Sequence, residues 1–375
     1  MVGDLEKPTA FAFAPDGRIF IALKEGTVRI ARDGVLLPVP FIELAANSHA
    51  QRGLMGLVLD PDFETNGYVY LYYTYENDPA HPTGPKTGQL LRVTAAGDVA
   101  VPGNELVLLG SVVGDPAEPS CDDFPLGSDC IPADGCCHVG GGLRFASDGT
   151  LFVATGDAAD TEEMRFRVQD LSSLAGKMLR INPDGSAPPD NPFFTGDPTA
   201  NRSKVWAYGL REPFRFGLQP GTDLPFVGDV GSLFRDEIDI VTPGANLGWP
   251  CYEGEERFWG AGQFPLCQEL FSQGPQAVTA PIHTSVIISH AVIGGDFASA
   301  YPEPYTGAYF FGDWAQSSIS YLTVDDTNTL IEVQLFATSA SAPVALNTGP
   351  EGEIYYLAWS AGELRHIRWV GGLEQ

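Results

Sequence analysis

Residues 136–157 read CCHVGGGLRFASDGTLFVATGD, and the reading of this stretch decides the fold. Leu143 and Phe145 alternate with Arg144 and Ala146, Ser147-Asp148-Gly149 interrupts, and Leu151-Phe152-Val153-Ala154 resumes as an apolar run. An Asp-Gly pair between two β-type runs predicts a hairpin, because those residues tolerate the backbone a tight reversal needs. Gly156-Asp157 closes the second strand, so the hairpin is expected to return Asp157 beside His138. A carboxylate beside an imidazole fixes its tautomer and strengthens it as a base. His138 and Asp157 are therefore a candidate general base and its orienting acid. The glycines at 140–142 are not read as a phosphate cradle, since no P-loop Lys-Ser/Thr and no dinucleotide fingerprint follows.

The same phrase returns outward along the chain. FAFAPDGRIFIA fills 11–22, DPDFETNGYVYLYYT 60–74, FGLQPGTDLPFVGDVG 216–231, GGDFASAYPEPYTGAYFFGDW 294–314 and GPEGEIYYLAWSAGELRHI 349–367. With 146–157, six recurrences of strand, Asp/Gly/Pro turn and aromatic strand are what radial repetition of four-stranded sheets produces. The expected fold is all-β, a six-bladed β-propeller of antiparallel blades over 1–375, preferred to a sandwich or two stacked β domains. Helical periodicity is confined to short pieces, one near residues 162–174. One long polar insertion, 114–135, is expected as a disulfide-tied loop on one face.

Composition narrows the partners. The chain has 375 residues, 44% of them hydrophobic, with 43 Gly and 30 Pro, which suits a turn-rich globular protein. A formal net charge of −27 repels nucleic acid and anionic membrane and favours divalent cations. No run reaches the roughly 18–20 apolar residues that span a bilayer, and MVGDLEKPTAF at the start is not a charged-then-apolar leader, so any signal peptide is expected to be missing or removed. Cys121, Cys130, Cys136 and Cys137 cluster in one loop, Cys251 and Cys267 in another. None forms a spaced CxxC zinc pair; the short spacings predict Cys121–Cys130 and Cys251–Cys267 bridges, hence a secreted or periplasmic protein. Cys136-Cys137 is open to a vicinal disulfide, to free thiols that join His138 on a soft metal, or to one buried thiol and one odd pairing.

Asp229, Asp236, Glu237 and Asp239 in GDVGSLFRDEIDI offer the hard oxygen ligands calcium prefers. Glu253, Glu255 and Glu256 are read as solvated surface. Trp206, Trp249, Trp314 and Trp359 read as blade packing, with Trp249 and Trp314 able to wall a cavity.

QRGLMGLVLDPDF at 51–63, HVGGGLRF and DGTLFVATGD within 138–157, LAGKMLRINPDG at 174–185, YGLREPFRFGL at 208–218, GDVGSLFRDEIDIV with GANLGWPCYEG within 228–254, and FFGDW at 310–314 together resemble the glucose/sorbosone dehydrogenase family. These are soluble quinoproteins that use pyrroloquinoline quinone (PQQ) and calcium on a six-bladed propeller. The resemblance implies that His138 is the base and Asp157 its orienting acid, and that Gln51, Arg211, the residue Glu212 and Trp314 face the cofactor. It implies further that backbone carbonyls of Gly231 and Ser232 hold the cofactor-linked calcium and that Glu237 marks a structural one. The pattern departs from the family at Glu212, where Asn is expected, and at Cys137, where an acid is common. It departs again at Ala315 and 339–344, where Lys and Arg would clamp the cofactor's carboxylates. The implied reaction is removal of hydride from a sugar's anomeric carbon, with a small-molecule substrate. Two other classes stay open: a calcium-dependent hydrolase of lactones, aryl esters or phosphotriesters on the same fold, and a non-catalytic binding propeller, since the GDVG and GANLGW phrases also resemble Hedgehog-interacting proteins.

Overall fold

The computed structural model describes residues 2–115, 120–286 and 291–371. They form a six-bladed β-propeller of small antiparallel sheets. The innermost strands are Pro8–Phe13, Leu54–Leu59, Leu143–Phe145, Pro213–Leu218, Val292–Phe297 and Pro343–Thr348, and each blade steps outward from its own. All six recurring phrases fall on the turn between a blade's innermost and second strands. In the third blade, Asp148 Oδ1 accepts from the Thr150 amide at 2.9 Å and from its hydroxyl at 2.6 Å, while Gly149 takes φ 82°. Asp16 and Gly17 repeat the device in the first blade, with Asp16 accepting from the Arg18 amide at 3.2 Å and Gly17 at φ 85°. Such side-chain turns reverse the chain where a β-branched residue would be strained.

A blade is covered on both faces, so its strands carry apolar residues almost continuously instead of alternating: Leu151–Thr155 is buried at every position. Six apolar clusters lie one between each pair of neighbouring blades. Phe20, Val28, Leu57 and Leu71 join blades one and two; Phe11, Ile21, Val344 and Leu357 join blades one and six. Each side chain of this size contributes roughly 1.5–3 kcal/mol on burial. The sixth sheet has three strands and is completed by the chain start: Val2 and Leu364 exchange backbone bonds of 3.4 and 2.8 Å, and the Leu5 amide reaches the Gly362 carbonyl at 3.0 Å. Closing the ring this way removes a sheet edge.

Within 114–135, of which 116–119 lie outside the described residues, Cys121 and Cys130 are bridged and Ile131–Ala133 pairs with the second blade. A second long insertion stands between the third and fourth strands of blade four, after Arg235–Ile240 and before His283–Val286, and it carries a helix, Pro265–Ser272. The Cys251–Cys267 bridge expected from the sequence closes part of it. The helical piece near 162–174 is a 3₁₀ segment, Glu163–Gln169.

Candidate active site

Thr9, Met55, Phe214, Ile293 and Val344, near the starts of five innermost strands, and His138, ahead of the third, line one cavity of about 520 Å³ to which all six blades contribute. Arg215 plugs the axis beyond it, donating to the carbonyls of Thr9 at 2.6 Å and Met55 at 2.8 Å across the ring. His138, Gln51, Arg211, Glu212 and Trp314, all expected at the site, line this cavity together with Gly231.

The third-blade hairpin delivers Asp157 to His138. Asp157 Oδ1 accepts from His138 Nδ1 at 2.9 Å and from the Ala159 amide at 3.1 Å, and Oδ2 accepts from Trp249 Nε1 at 2.8 Å. Burial alone would raise this carboxyl, but bonds from His138 and the charge of Arg211 outweigh it and hold its pKa below the ordinary range. With Nδ1 donating to a carboxylate, the lone pair of the neutral ring lies on Nε2, which accepts from Arg211 Nη2 at 2.9 Å. The backbone of His138 is itself held in the left-handed region, at φ 57°. Gln51 Oε1 accepts from its amide at 2.9 Å and the Ala158 amide reaches its carbonyl at 3.0 Å. Gly156 is obligatory here, because a Cβ would lie 2.0 Å from the His138 carbonyl oxygen.

Arg211 is fixed at both ends. Its amide donates to Asp229 Oδ2 at 2.9 Å, and Nη1 reaches the carbonyls of Val230 at 2.8 Å and Gly231 at 2.6 Å. The Gly231 carbonyl, expected to face a metal, thus faces a cation of the chain itself. Glu212 lies beneath His138 and is 6% exposed; Oε1 accepts from the Gly140 amide at 3.1 Å, while Oε2 has no partner. Burial raises its pKa.

The acidic residues divide by face. Successive strand residues point oppositely, so Glu237 and Asp239 share one side and Asp236 the other. Asp236 accepts from the Gly231 amide at 3.0 Å and the Val292 amide at 2.8 Å, and Asp229 from the Arg211 and Glu212 amides, so both carboxylates pin backbone. Both oxygens of Asp239 and Oε2 of Glu253 are buried without a partner among the described residues. Glu253, read as surface, is only 3% exposed: the second insertion folds it inward, where it accepts from the Ser232 amide and from the Leu233 amide at 2.9 Å. Asp229, Glu237 and Glu253 border a separate cavity of about 10 Å³, the size of one water or ion. Burial comes first, and mutual repulsion second, in raising Glu237 and Asp239 well above the carboxylate range; burial takes Asp229 to about 7. Among the described residues no three His, Cys, Asp or Glu side chains form a ready metal cage, so any ion here would also need backbone oxygens.

Sequence reading left out two contributors. Trp249, read as packing or wall, does pack, against Val168, Ala175 and Phe258, and in addition orients Asp157, with the Arg165 and Arg211 guanidiniums 5.8 and 5.4 Å from its ring. Lys24 lines the cavity from the first blade; in sequence it is one lysine after an apolar strand, with nothing to mark it. The cysteines form Cys121–Cys130, Cys251–Cys267 and the vicinal Cys136–Cys137 bridge, leaving no free thiol to join a soft metal. No helix among the described residues is long and apolar enough to cross a membrane.

A six-bladed propeller with a histidine–aspartate pair opening on its axial cavity defines the class. Within it, the glucose/sorbosone dehydrogenase profile matches residues 5–114 and 123–366, and the chain belongs to that family. The aldose sugar dehydrogenase YliI of Escherichia coli is 27% identical over 367 residues, 97% of this chain and 90% of that one. Quinoprotein glucose dehydrogenase B of Acinetobacter calcoaceticus is 27% identical over 263 residues, 68% of this chain and 52% of its own. Mouse Hedgehog-interacting protein is 28% identical over 231 residues, 57% of this chain and 30% of that protein. The apo crystal structure of the E. coli soluble aldose sugar dehydrogenase superposes with TM-score 0.76 at 26% identity, over 97% of this chain and 96% of that one.

Proposed function

We propose that the protein is a PQQ-dependent aldose sugar dehydrogenase with His138 as general base. The observation that carries this reading is the connected line from Trp249 through Asp157 and His138 to Arg211, ending at the axial cavity. His138 Nε2 takes the proton of the anomeric hydroxyl once substrate replaces Arg211 as its partner. Asp157 keeps the proton on Nδ1 and stabilises the imidazolium that forms. Arg211 then stands free to donate to developing negative charge. When bound, PQQ supplies the two-electron acceptor for the hydride that leaves the same carbon. The residues present suit such a group: Trp314 and Trp359 offer flat apolar surface, Gln51 and Arg211 offer donors, and burial shifts Glu212 toward its uncharged form. Names of the relatives, aldose sugar dehydrogenase and quinoprotein glucose dehydrogenase, support the same reading.

Calcium is proposed at the buried cluster centred on Glu237 with Asp239 and Glu253; a second ion at the Gly231 and Ser232 carbonyls would have to displace Arg211 Nη1 from the Gly231 carbonyl. Partnerless buried carboxylates are what a cation would relieve. Three disulfides favour an oxidising, secreted or periplasmic setting. The hydrolase alternative needs metal-binding carboxylates in the substrate cavity; here Asp229, Glu237 and Glu253 border a different, smaller one. Reconstitution with PQQ and calcium, followed by aldose-dependent dye reduction, tests the proposal. Lactone, ester or phosphotriester turnover without dye reduction would replace it with the hydrolase, and silence in every assay with the binding propeller.

A further inference from the structure

The cavity holds a cation that the reaction above does not use. Lys24 is 7% exposed and lines the cavity, yet among the described residues its ammonium donates only to the Ser48 carbonyl. Neighbouring Glu25 is committed elsewhere, to Lys7 at 3.0 Å and to the Ser48 hydroxyl. Of the three other buried lysines, Lys86, Lys177 and Lys204, two are tied down by several bonds each. Lys86 is 2.9 Å from Glu76 and also bonds Asn77 and two carbonyls; Lys177 bonds the carbonyls of Arg167, Val168 and Ala175. An ammonium carries three donors, so Lys24 brings unused donors to the cavity wall, and its nearby opposite charge, Glu25, is itself bonded to Lys7 and Ser48. Burial accordingly lowers its pKa.

Position adds the second half of the argument. Lys24 belongs to blade one and Arg211 precedes the inner strand of blade four, and in a ring of six these stand opposite each other. Between them the wall is largely apolar, with Met55, Phe214, Ile293, Val344 and the two tryptophans. A flat ring system bearing carboxylates suits that arrangement: apolar faces against the wall, an acidic group at the cation. In a chain of net charge −27 such a ligand needs local cations to enter at all. Neither Ala315 nor residues 339–344 supply one.

We propose that Lys24 binds a carboxylate of the quinone cofactor, carrying from blade one the charge that the later blades lack. The proposal rests on the dehydrogenase reading. The test is titration of the calcium-loaded, cofactor-free protein with PQQ, followed by quenching of tryptophan fluorescence, for the native chain, Lys24→Met and Lys24→Arg. Losing one charge-assisted bond is expected to raise Kd about 10–100-fold in Lys24→Met. Lys24→Arg is expected to recover most of the loss, and the aldose KM at saturating PQQ to change less than about twofold. Equal melting points of the cofactor-free variants separate the effect from misfolding; should Lys24→Met not fold, Lys24→Gln, which keeps a donor for Ser48, is read the same way. Native-like affinity in Lys24→Met overturns this inference and leaves the dehydrogenase standing. So does an unchanged Kd with a raised aldose KM, which would give Lys24 to the sugar. A native chain that binds no PQQ overturns both readings.

Discussion

The two halves of the cavity wall are built on opposite principles. Blades three and four hold His138, Asp157, Arg211 and Asp229 by overlapping hydrogen bonds, with each carboxylate oxygen of Asp157 and Asp229 accepting at least one donor. Blades five and six contribute Ile293, Trp314, Val344 and Trp359, which meet the cavity mainly as apolar surface. A site so divided keeps its reacting groups immobile on one side and leaves the other to shape and dispersion, the preorganisation that electrostatic catalysis needs. If the comparison is right, substitutions on the first half change rate and those on the second change affinity.

The largest effect is expected at His138. His138→Ala removes the only imidazole at the cavity among the described residues and is expected to lower kcat by roughly 10²–10⁴-fold, the usual cost of a lost general base. Its melting point is expected to stay near native, since the side chain is partly exposed. Steady-state kinetics beside thermal melts check both; full activity in a folded variant would break the division at its strongest point.

Asp157→Asn is expected to cost less in rate and more in stability. Asp157 accepts three hydrogen bonds and donates none, whereas an amide turned to keep oxygen toward His138 sets its NH₂ against Trp249 Nε1. A buried donor facing a donor costs about 1–3 kcal/mol. A fall of kcat by about 10–10²-fold with a lower melting point is expected, and an unchanged melting point would remove Trp249 from the orienting network.

The acidic cluster behind blade four gives a pH test. Without a cation, Asp229 titrates near 7 because burial raises it, and Glu237 and Asp239 lie well above their ordinary range. An unfolded Asp titrates near 4, so between about 4 and 7 the native state holds the extra proton, and stability is lost as pH rises through about 7. EDTA-treated protein is expected to melt higher at pH 6 than at pH 8. Calcium at about 100 times its Kd is expected to add about 2.7 kcal/mol and to flatten that slope. Equal melts with and without EDTA at pH 8 would take the ion out of the account.

What was legible in the sequence follows the range of the interactions. The blades could be read because each recurring turn is local: Asp148 bonds Thr150 two residues away, and the phrase carries its own instruction. His138 and Asp157 could be paired for the same reason, since a single hairpin joins them. Glu253 could not, because its burial depends on an insertion folding back onto Ser232 and Leu233, about twenty residues earlier in the chain. Lys24 could not either, since only ring closure sets blade one across from blade four. Glu212 was legible as a departure from the family pattern, but its burial, which raises its pKa, is encoded by no local pattern.

The smallest effect sharpens the comparison from its other side. Trp314 is 43% exposed at the cavity rim, and only its backbone is tied in, to the Ala291 carbonyl at 2.9 Å. Its indole offers a flat face to the proposed cofactor and takes no part in the His138–Asp157–Arg211 line. Trp314→Leu keeps apolar bulk but removes the aromatic face, a loss of roughly 0.5–1.5 kcal/mol, so the PQQ Kd is expected to rise about two- to tenfold. At saturating cofactor kcat is expected to stay within about twofold, because nothing that holds a proton or a developing charge has moved. Fluorescence titration gives the first number and dye reduction the second. A hundredfold fall in kcat with little change in Kd would mean that blade five positions reacting groups after all, and the division between a rigid reacting half and a passive wall would fail there.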